Sequence, residues 1–78
     1  EMTRIQWPSK HWEESDTLCF SEDGINYSKV TQYAHKDIPL VLSQVQRKGE
    51  SYWLAIDMKT YNQSRGETGQ QALDGLRQ

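Results

Sequence analysis

Cysteine is almost absent from this sequence, since Cys19 is the only one in 78 residues. An intrachain disulfide is therefore excluded, although secreted domains of this size usually depend on several. We accordingly expect a reducing setting, intracellular and cytoplasmic. A structural zinc site needs four ligands, usually paired at short spacing. Here the strong ligands Cys19, His11 and His35 are scattered, so we expect no metal.

Long apolar runs are also missing. No stretch approaches the roughly 20 residues needed to span a bilayer, and no signal-peptide pattern opens the chain, so we expect no membrane association. The chain is shorter than the roughly 100–150 residues of a typical domain. We expect one small domain over residues 1–78, either whole or excised from a longer chain. A domain of this size has room for one core and a shallow site.

Catalytic motifs are the third absence. The five glycines match neither a phosphate-binding loop nor a dinucleotide fingerprint. The carboxylates near Glu13 and Glu22 lie in turn-like segments rather than across a cleft, as glycosidase chemistry needs. Cys19 lies in an apolar, strand-like run, where burial raises the pKa of a thiol and keeps it inert. We therefore predict a protein that is not an enzyme and needs no cofactor.

The sequence is rich in aromatic residues, and its charge is unevenly distributed. Three Trp, four Tyr and one Phe make up 10% of the chain, a content typical of folded rather than disordered segments. The net charge of −2 combines an acidic stretch, residues 1–26, with a basic one, residues 27–66. An ordinary mixed surface is the simplest interpretation, and an acidic face opposite a basic face is the alternative.

The clearest element is a half-buried strand over Ser51–Lys59. Two sets of residues alternate along it: Tyr52, Leu54, Ile56 and Met58, and Trp53, Ala55, Asp57 and Lys59. Such alternation places the two sets on opposite faces. We expect Leu54 and Ile56 to lie in the core, and the face of Asp57 and Lys59 to be the wetter one.

The middle of the chain allows two interpretations. Residues 25–34 and 40–46 contain β-branched and aromatic residues typical of strands, but part of their apolar spacing is also helical. We favour strands, with residues 47–50 as a hairpin turn leading into the strand over 51–59. If residues 28–46 are helical instead, they form a helix-turn-helix, whose second helix would read base edges in DNA.

The two ends of the chain are predicted to be short elements. Thr3–Trp7 is compatible with a strand, and residues 9–16 with a turn that includes one helical turn capped by Ser9. Gln70–Leu76 is predicted to be a helix, capped by Thr68. The predicted fold class is therefore mainly β or α+β: a small antiparallel sheet or partly open barrel of four to five strands with a short C-terminal helix.

Part of the second half resembles a Src-homology-three domain. Gly49-Glu50-Ser51-Tyr52-Trp53-Leu54-Ala55 is similar to the family's loop-then-strand segment, and Gly66-Glu67-Thr68-Gly69 is similar to the glycine-containing segment that follows it. The resemblance covers residues 40–69 and implies a small β-barrel that binds extended, proline-rich peptides on an aromatic groove. It implies that Tyr52 stands where the family has its ligand-contacting tryptophan, with Trp53 beside it.

We predict a non-catalytic, regulatory binding module that recognises a protein or peptide through an aromatic surface on the sheet, since Trp, Tyr and Arg predominate at interface hot spots. The candidate binding residues are Trp7, Trp12, Tyr27, Tyr33, Arg47, Lys48, Tyr52 and Trp53. One alternative is a nucleic-acid-binding domain, because residues 27–66 interleave basic side chains with aromatics that stack on bases. Another is a small inhibitor or regulator of an enzyme, whose acidic N-terminal third meets a basic partner.

Overall fold

The architecture is an open antiparallel meander with one helix packed on one of its faces. A computed structural model describes residues 5–21 and 23–76, with only the backbone of Phe20. The elements are β1 (Trp12–Ser21), β2 (Tyr27–His35), β3 (Leu40–Arg47), β4 (Glu50–Asp57), β5 (Gln63–Gly66) and α1 (Gly69–Gly75). The five strands lie side by side in chain order, and the sheet is not closed. The predicted fold class is confirmed.

The β3–β4 hairpin has the turn that the sequence predicted. Lys48 and Gly49 connect the paired residues Arg47 and Glu50, and Gly49 has a φ of +71°. Glycine reaches this left-handed conformation without a steric penalty, and a positive φ at the second central residue alone is the pattern of a type II turn. Because residues 28–46 lie largely in β2 and β3, the helix-turn-helix alternative is wrong.

One carboxylate organises the β1–β2 turn. Asp23 accepts hydrogen bonds of 2.8 Å from the backbone N–H groups of both Asn26 and Ile25. These two donors, together with the Asn26 and Ser21 side chains, favour the charged carboxylate and lower the pKa of Asp23 from 3.8 to about 2. The charged form therefore stabilises the turn at pH values above 3.8, and its contribution is lost as the pH falls through about 2.

The N-terminal third differs from the sequence prediction. Residues 9–12 form a turn, as predicted, closed by a 3.3 Å hydrogen bond from the Trp12 backbone N–H to the Ser9 carbonyl. The helical turn predicted within residues 9–16 is wrong, because β1 begins at Trp12. Residues 13–19 are all exposed, so the alternation that identifies a half-buried strand is missing there. The burial expected for Cys19 is therefore wrong. The strand predicted over Thr3–Trp7 lies partly outside the described residues, and its described part is not in a strand.

The core lies between α1 and one face of the sheet, which we call the helix-side face. Its buried members are Trp12, Leu40, Leu42, Ala55, Ala72 and Leu73. Leu42 and Ala55 are cross-strand partners, and neither has any solvent exposure. The N-terminal segment packs on this same face through Ile5 and Trp7. We call the opposite side of the sheet the open face.

Strand β4 turns its faces the other way from the prediction. The alternation is confirmed, but Ala55 is fully buried and Trp53 packs against the core, whereas Leu54 and Ile56 lie on the open face and only half-buried. The physical reason is that α1 packs against the β4 side that carries small Ala55, where a helix can approach closely. Alternation along one strand does not reveal which side a helix will cover.

Trp7 joins the N-terminal segment to α1. Its indole lies so close to Gly69 that a Cβ added at Gly69 would overlap the ring. The Trp7 backbone N–H donates a 2.9 Å hydrogen bond to Gln70 Oε1, and Gln70 Nε2 donates one of 3.2 Å to the Ile5 carbonyl. One tryptophan and one glutamine therefore hold the N-terminal segment against the helix.

The predicted cap of α1 is confirmed. Thr68 is the N-cap, and its Oγ1 accepts a 3.1 Å hydrogen bond from the Gln71 backbone N–H. Gln71 Oε1 in turn accepts a 3.0 Å bond from the Glu67 backbone N–H. The two bonds give partners to backbone donors that a helix start leaves free.

We expect Gly69→Ala to destabilise the protein by about 1–3 kcal/mol, because the added methyl overlaps the Trp7 indole and overpacks the core. Helix propensity alone predicts the opposite sign, a gain of up to ~1 kcal/mol. Urea denaturation followed by tryptophan fluorescence measures the difference. In a Trp7→Leu background the penalty should largely disappear. A stabilised Gly69→Ala protein would contradict the Trp7 contact.

Candidate functional site: the open face of the sheet

Four of the predicted binding residues form one aromatic cluster on the helix-side face. The Trp7 ring centroid lies 4.6 Å from that of Tyr33, 5.3 Å from that of Trp53 and 5.7 Å from that of Trp12. Trp12 is buried and the other three are half-buried. Most of the surface of these rings contacts the other rings or the core. We therefore assign them to the stability of the fold rather than to a docking surface.

Tyr52 lies on the open face, away from that cluster. The Arg65 guanidinium stacks over the Tyr52 ring, 3.8 Å from its centroid, and Arg65 Nη2 donates a 3.0 Å hydrogen bond to Glu50 Oε1. A cation over an aromatic face is attracted by the negative potential of the ring. The adjacent residues Tyr52 and Trp53 therefore have separate roles: Trp53 belongs to the core cluster, and Tyr52 to the open face.

The remaining three predicted binding residues, Tyr27, Arg47 and Lys48, lie together at one end of the sheet. They line a shallow pocket of about 330 Å³, shared with Asp23 and Glu50. Tyr27 is 67% exposed. Two basic and two acidic side chains lie in the pocket, so its charge is mixed rather than basic.

Strand register defines three rows of neighbours across the open face: rows one and two run from β1 to β5, and row three ends on β4. Row one is Glu13, Ala34, Val41, Ile56 and Gln63; row two is Asp16, Gln32, Ser43, Leu54 and Arg65; row three is Leu18, Val30, Val45 and Tyr52. On β2, β3 and β4 the middle of rows one and three is apolar apart from the Tyr52 hydroxyl, whereas the middle of row two is Gln32, Ser43 and Leu54. In row two the two edge residues carry opposite charges.

Nothing in the described chain packs over this face. Both α1 and the N-terminal segment lie on the helix-side face. On this face Val45 and Ser43, on central β3, are 9% and 3% exposed, whereas Leu18 at the β1 edge is 53% exposed. The sequence carried one signal of this surface: Val41 and Val45 give β3 apolar residues on both faces, which is typical of a strand covered on both sides.

The basic residues of the 27–66 segment do not form one patch. Lys36 and Lys59 lie near one end of the sheet, in the β2–β3 and β4–β5 connections. Arg47, Lys48 and Lys29, which pairs with Gln46, lie toward the other end. An eight-residue strand separates the two groups by roughly 25 Å. These residues therefore do not line a continuous track for a phosphate backbone.

A second cleft, of about 410 Å³, lies beside the β2–β3 connection. In it the rings of His11 and His35 stack with centroids 5.6 Å apart. His11 Nδ1 lies 3.2 Å from Asp37 Oδ2, and His35 Nδ1 accepts a 3.1 Å hydrogen bond from the Asp37 backbone N–H. Burial lowers the pKa of His35, nearby His11 lowers it further, and the Asp37 carboxylate opposes both.

Within residues 5–21 and 23–76, no three His, Cys, Asp or Glu side chains are placed to hold a metal ion. No helix in the same ranges is long and apolar enough to cross a membrane.

Comparison with known proteins found no matching family model, no matching curated protein and no matching solved structure. The likeness of residues 40–69 to the Src-homology-three family therefore stays a prediction.

We expect the free energy of unfolding to decrease as the pH falls below about 6.5. The folded-state pKa of His35 is lower than its ordinary value, so the unfolded chain takes up the proton first and is favoured by acid. At pH values above the ordinary histidine pKa, both states are unprotonated at His35 and the free energy of unfolding is not reduced. Urea denaturation at about pH 7.5 and about pH 5.5 measures the change.

His35→Asn removes the titrating group but keeps an acceptor for the Asp37 N–H. It should reduce the pH dependence relative to the parent chain. Equal dependence in the two proteins would contradict the assignment to His35.

Proposed function

We propose that this protein is a non-catalytic protein-binding module and that the open face of its sheet is the binding surface. The observation that carries the proposal is the apolar centre of that face, which no described element covers. Domains are normally built from layers that bury each apolar face against another element. Among residues 5–21 and 23–76, no such layer lies on the second face of β3, and a partner would supply it.

The size and composition of the open face fit protein binding. Five strands about 4.8 Å apart and about eight residues long at roughly 3.3 Å each span an area of ~500 Å². This is the area of the whole face with its polar edges; the largest apolar patch on a typical monomer is roughly 300–600 Å² and is often functional. The face also carries Tyr52 stacked with Arg65, and Tyr and Arg are residue types enriched among interface hot spots.

Most of the aromatic residues predicted to bind a partner lie on the helix-side face, whereas the binding surface proposed here is the open face. Trp7, Trp12 and Trp53 contact one another and the core, so their surface is largely used. Tyr52 keeps the role predicted for it, and Arg47 lies beyond row three at the end of the same face. The binding surface is therefore mainly aliphatic, with one aromatic residue.

The nucleic-acid alternative has less physical support. The basic side chains are split between the two ends of the sheet, and Arg65 is engaged by Glu50 and Tyr52. The centre of the open face offers Val, Leu and Ile rather than flat rings for base stacking. The alternative of an enzyme regulator uses the same surface, so the experiment below also tests it.

A photo-crosslinking amino acid placed at position 54, in the centre of the open face, tests the proposal. In extracts of the source cells we expect adducts of discrete mass, because the bound partner lies against this position. The matched control places the same probe at position 71, where exposed Gln71 lies on α1, and should give none.

Two substitutions should suppress the adducts: Ile56→Lys in row one and Leu18→Lys in row three. Leu18 is 53% exposed, so its replacement disturbs the fold least, and circular dichroism checks both proteins. Equal labelling from positions 54 and 71, or none from position 54, would overturn the proposal.

A further inference from the structure

The open face is complementary to itself. We propose that its occupant is a second copy of this chain, packed face to face about a two-fold axis that runs parallel to the strands over β3. This inference rests on the proposed function, since it names the partner of the same surface. It commits to one geometry, which is argued below from the order of the strands and the charges at their edges.

The charges of row two support this axis. Asp16 lies at the β1 edge and Arg65 at the β5 edge of one register row. A two-fold axis parallel to the strands keeps each row in place but reverses the order of the strands. β1 of each copy then lies over β5 of the other, so that each Asp16 faces the Arg65 of the second copy. The dimer contains this opposite-charge pair twice.

The other simple two-fold, perpendicular to the strands along row two, is disfavoured. It would place β1 over β1 and β5 over β5. Asp16 would then face its own copy, and so would Arg65. Like charges juxtaposed across an interface are strongly unfavourable and suppress the wrong arrangement. The edge charges therefore distinguish between the two axes.

The apolar centre also fits the parallel axis. β3 lies on the axis, so Val41 and Val45 each meet their own copies across the interface. β2 of one copy lies over β4 of the other, which brings Ala34 against Ile56 in row one and Val30 against Tyr52 in row three. In rows one and three the smaller side chain of β2 thus faces the larger one of β4, while in row two Gln32 faces Leu54 and Ser43 meets its own copy. Two sheets in face-to-face contact pack about 10 Å apart with interdigitated side chains.

Arg65 has donors left for this contact. Its Nη2 is bonded to Glu50 at 3.0 Å, but a guanidinium has five N–H donors. The stacking on Tyr52 and the bond to Glu50 hold the group at the β5 edge. Asp16, at the other edge, is exposed.

The sheet edges are poor sites for association by strand pairing. β1 is interrupted by a register shift between Glu14 and Asp16 and carries exposed carboxylates along its length. β5 has only four residues. Bulges, charges and short edge strands all discourage pairing of one sheet edge with another. The open face is therefore the surface on which two copies meet.

The expected dimer is weak. About 500 Å² from each copy gives roughly 1,000 Å² in total, which is at the lower limit of specific interfaces. We expect a dissociation constant on the order of 10 μM at about 50 mM salt, measured by sedimentation equilibrium. The interaction should weaken as salt increases, because the edge charges are screened.

Charge exchange between two variants tests the axis. D16K alone and R65E alone each place like charges in both edge contacts, and each should weaken the dimer about 10-fold or more. An equimolar mixture of the two variants should form a heterodimer within about 3-fold of the parent affinity. In that heterodimer both edge contacts again join opposite charges. The double variant D16K/R65E should recover for the same reason.

E14K is the matched control, because Glu14 lies on the same strand but pairs with Tyr33 on the helix-side face. It should leave the affinity unchanged. Circular dichroism and thermal unfolding confirm that R65E, which loses its Glu50 contact, remains folded.

Each outcome separates this inference from the proposed function. A chain that stays monomeric up to about 1 mM, while a probe at position 54 captures a different protein, overturns the second copy and leaves the binding module intact. A dimer that the variant mixture fails to restore overturns the parallel axis. Absence of both dimer and adducts overturns the inference and the proposed function together.

Discussion

The contact between Trp7 and α1 is the interaction on which the rest of the structure depends. The Trp7 indole lies against Gly69 and touches three further aromatic rings, and Gln70 bonds the backbone on either side of it. This contact brings the N-terminal segment and the C-terminal helix onto the same face of the sheet. Because both go to one side, the other side has no cover within the described chain.

Within the described residues, the elements outside the sheet pack on one of its faces. One helix of seven residues shields the helix-side face, and the aromatic cluster extends that cover beyond the reach of the helix. The apolar side chains on the other side of β3 and β4 remain at the surface, where their burial by a partner is favourable. The central strands β3 and β4 thus contribute one face to the core and the opposite face to the proposed binding surface.

The meander topology gives meaning to the uneven charge of the sequence. Because the strands lie side by side in chain order, the acidic first third supplies one edge of the sheet and the basic segment reaches the other. Asp16 and Arg65 are far apart in sequence, yet they lie at opposite ends of one register row. A charge asymmetry that suggested only a mixed surface becomes a pattern that is complementary to its own rotated copy.

The sequence by itself determined the local elements of the second half. Alternation identified β4, a two-residue turn with Gly49 identified the β3–β4 hairpin, and Thr68 identified the start of α1, because each depends on interactions within a few residues. It identified the run around Cys19 as strand-like but missed the first half of β1, whose exposed side chains show no alternation, and it assigned Leu54 and Ile56 to the wrong side. Only the tertiary structure decided which face was covered, since that choice depends on Trp7 meeting Gly69, more than sixty residues along the chain. Long-range packing of this kind leaves no periodic signal in the sequence.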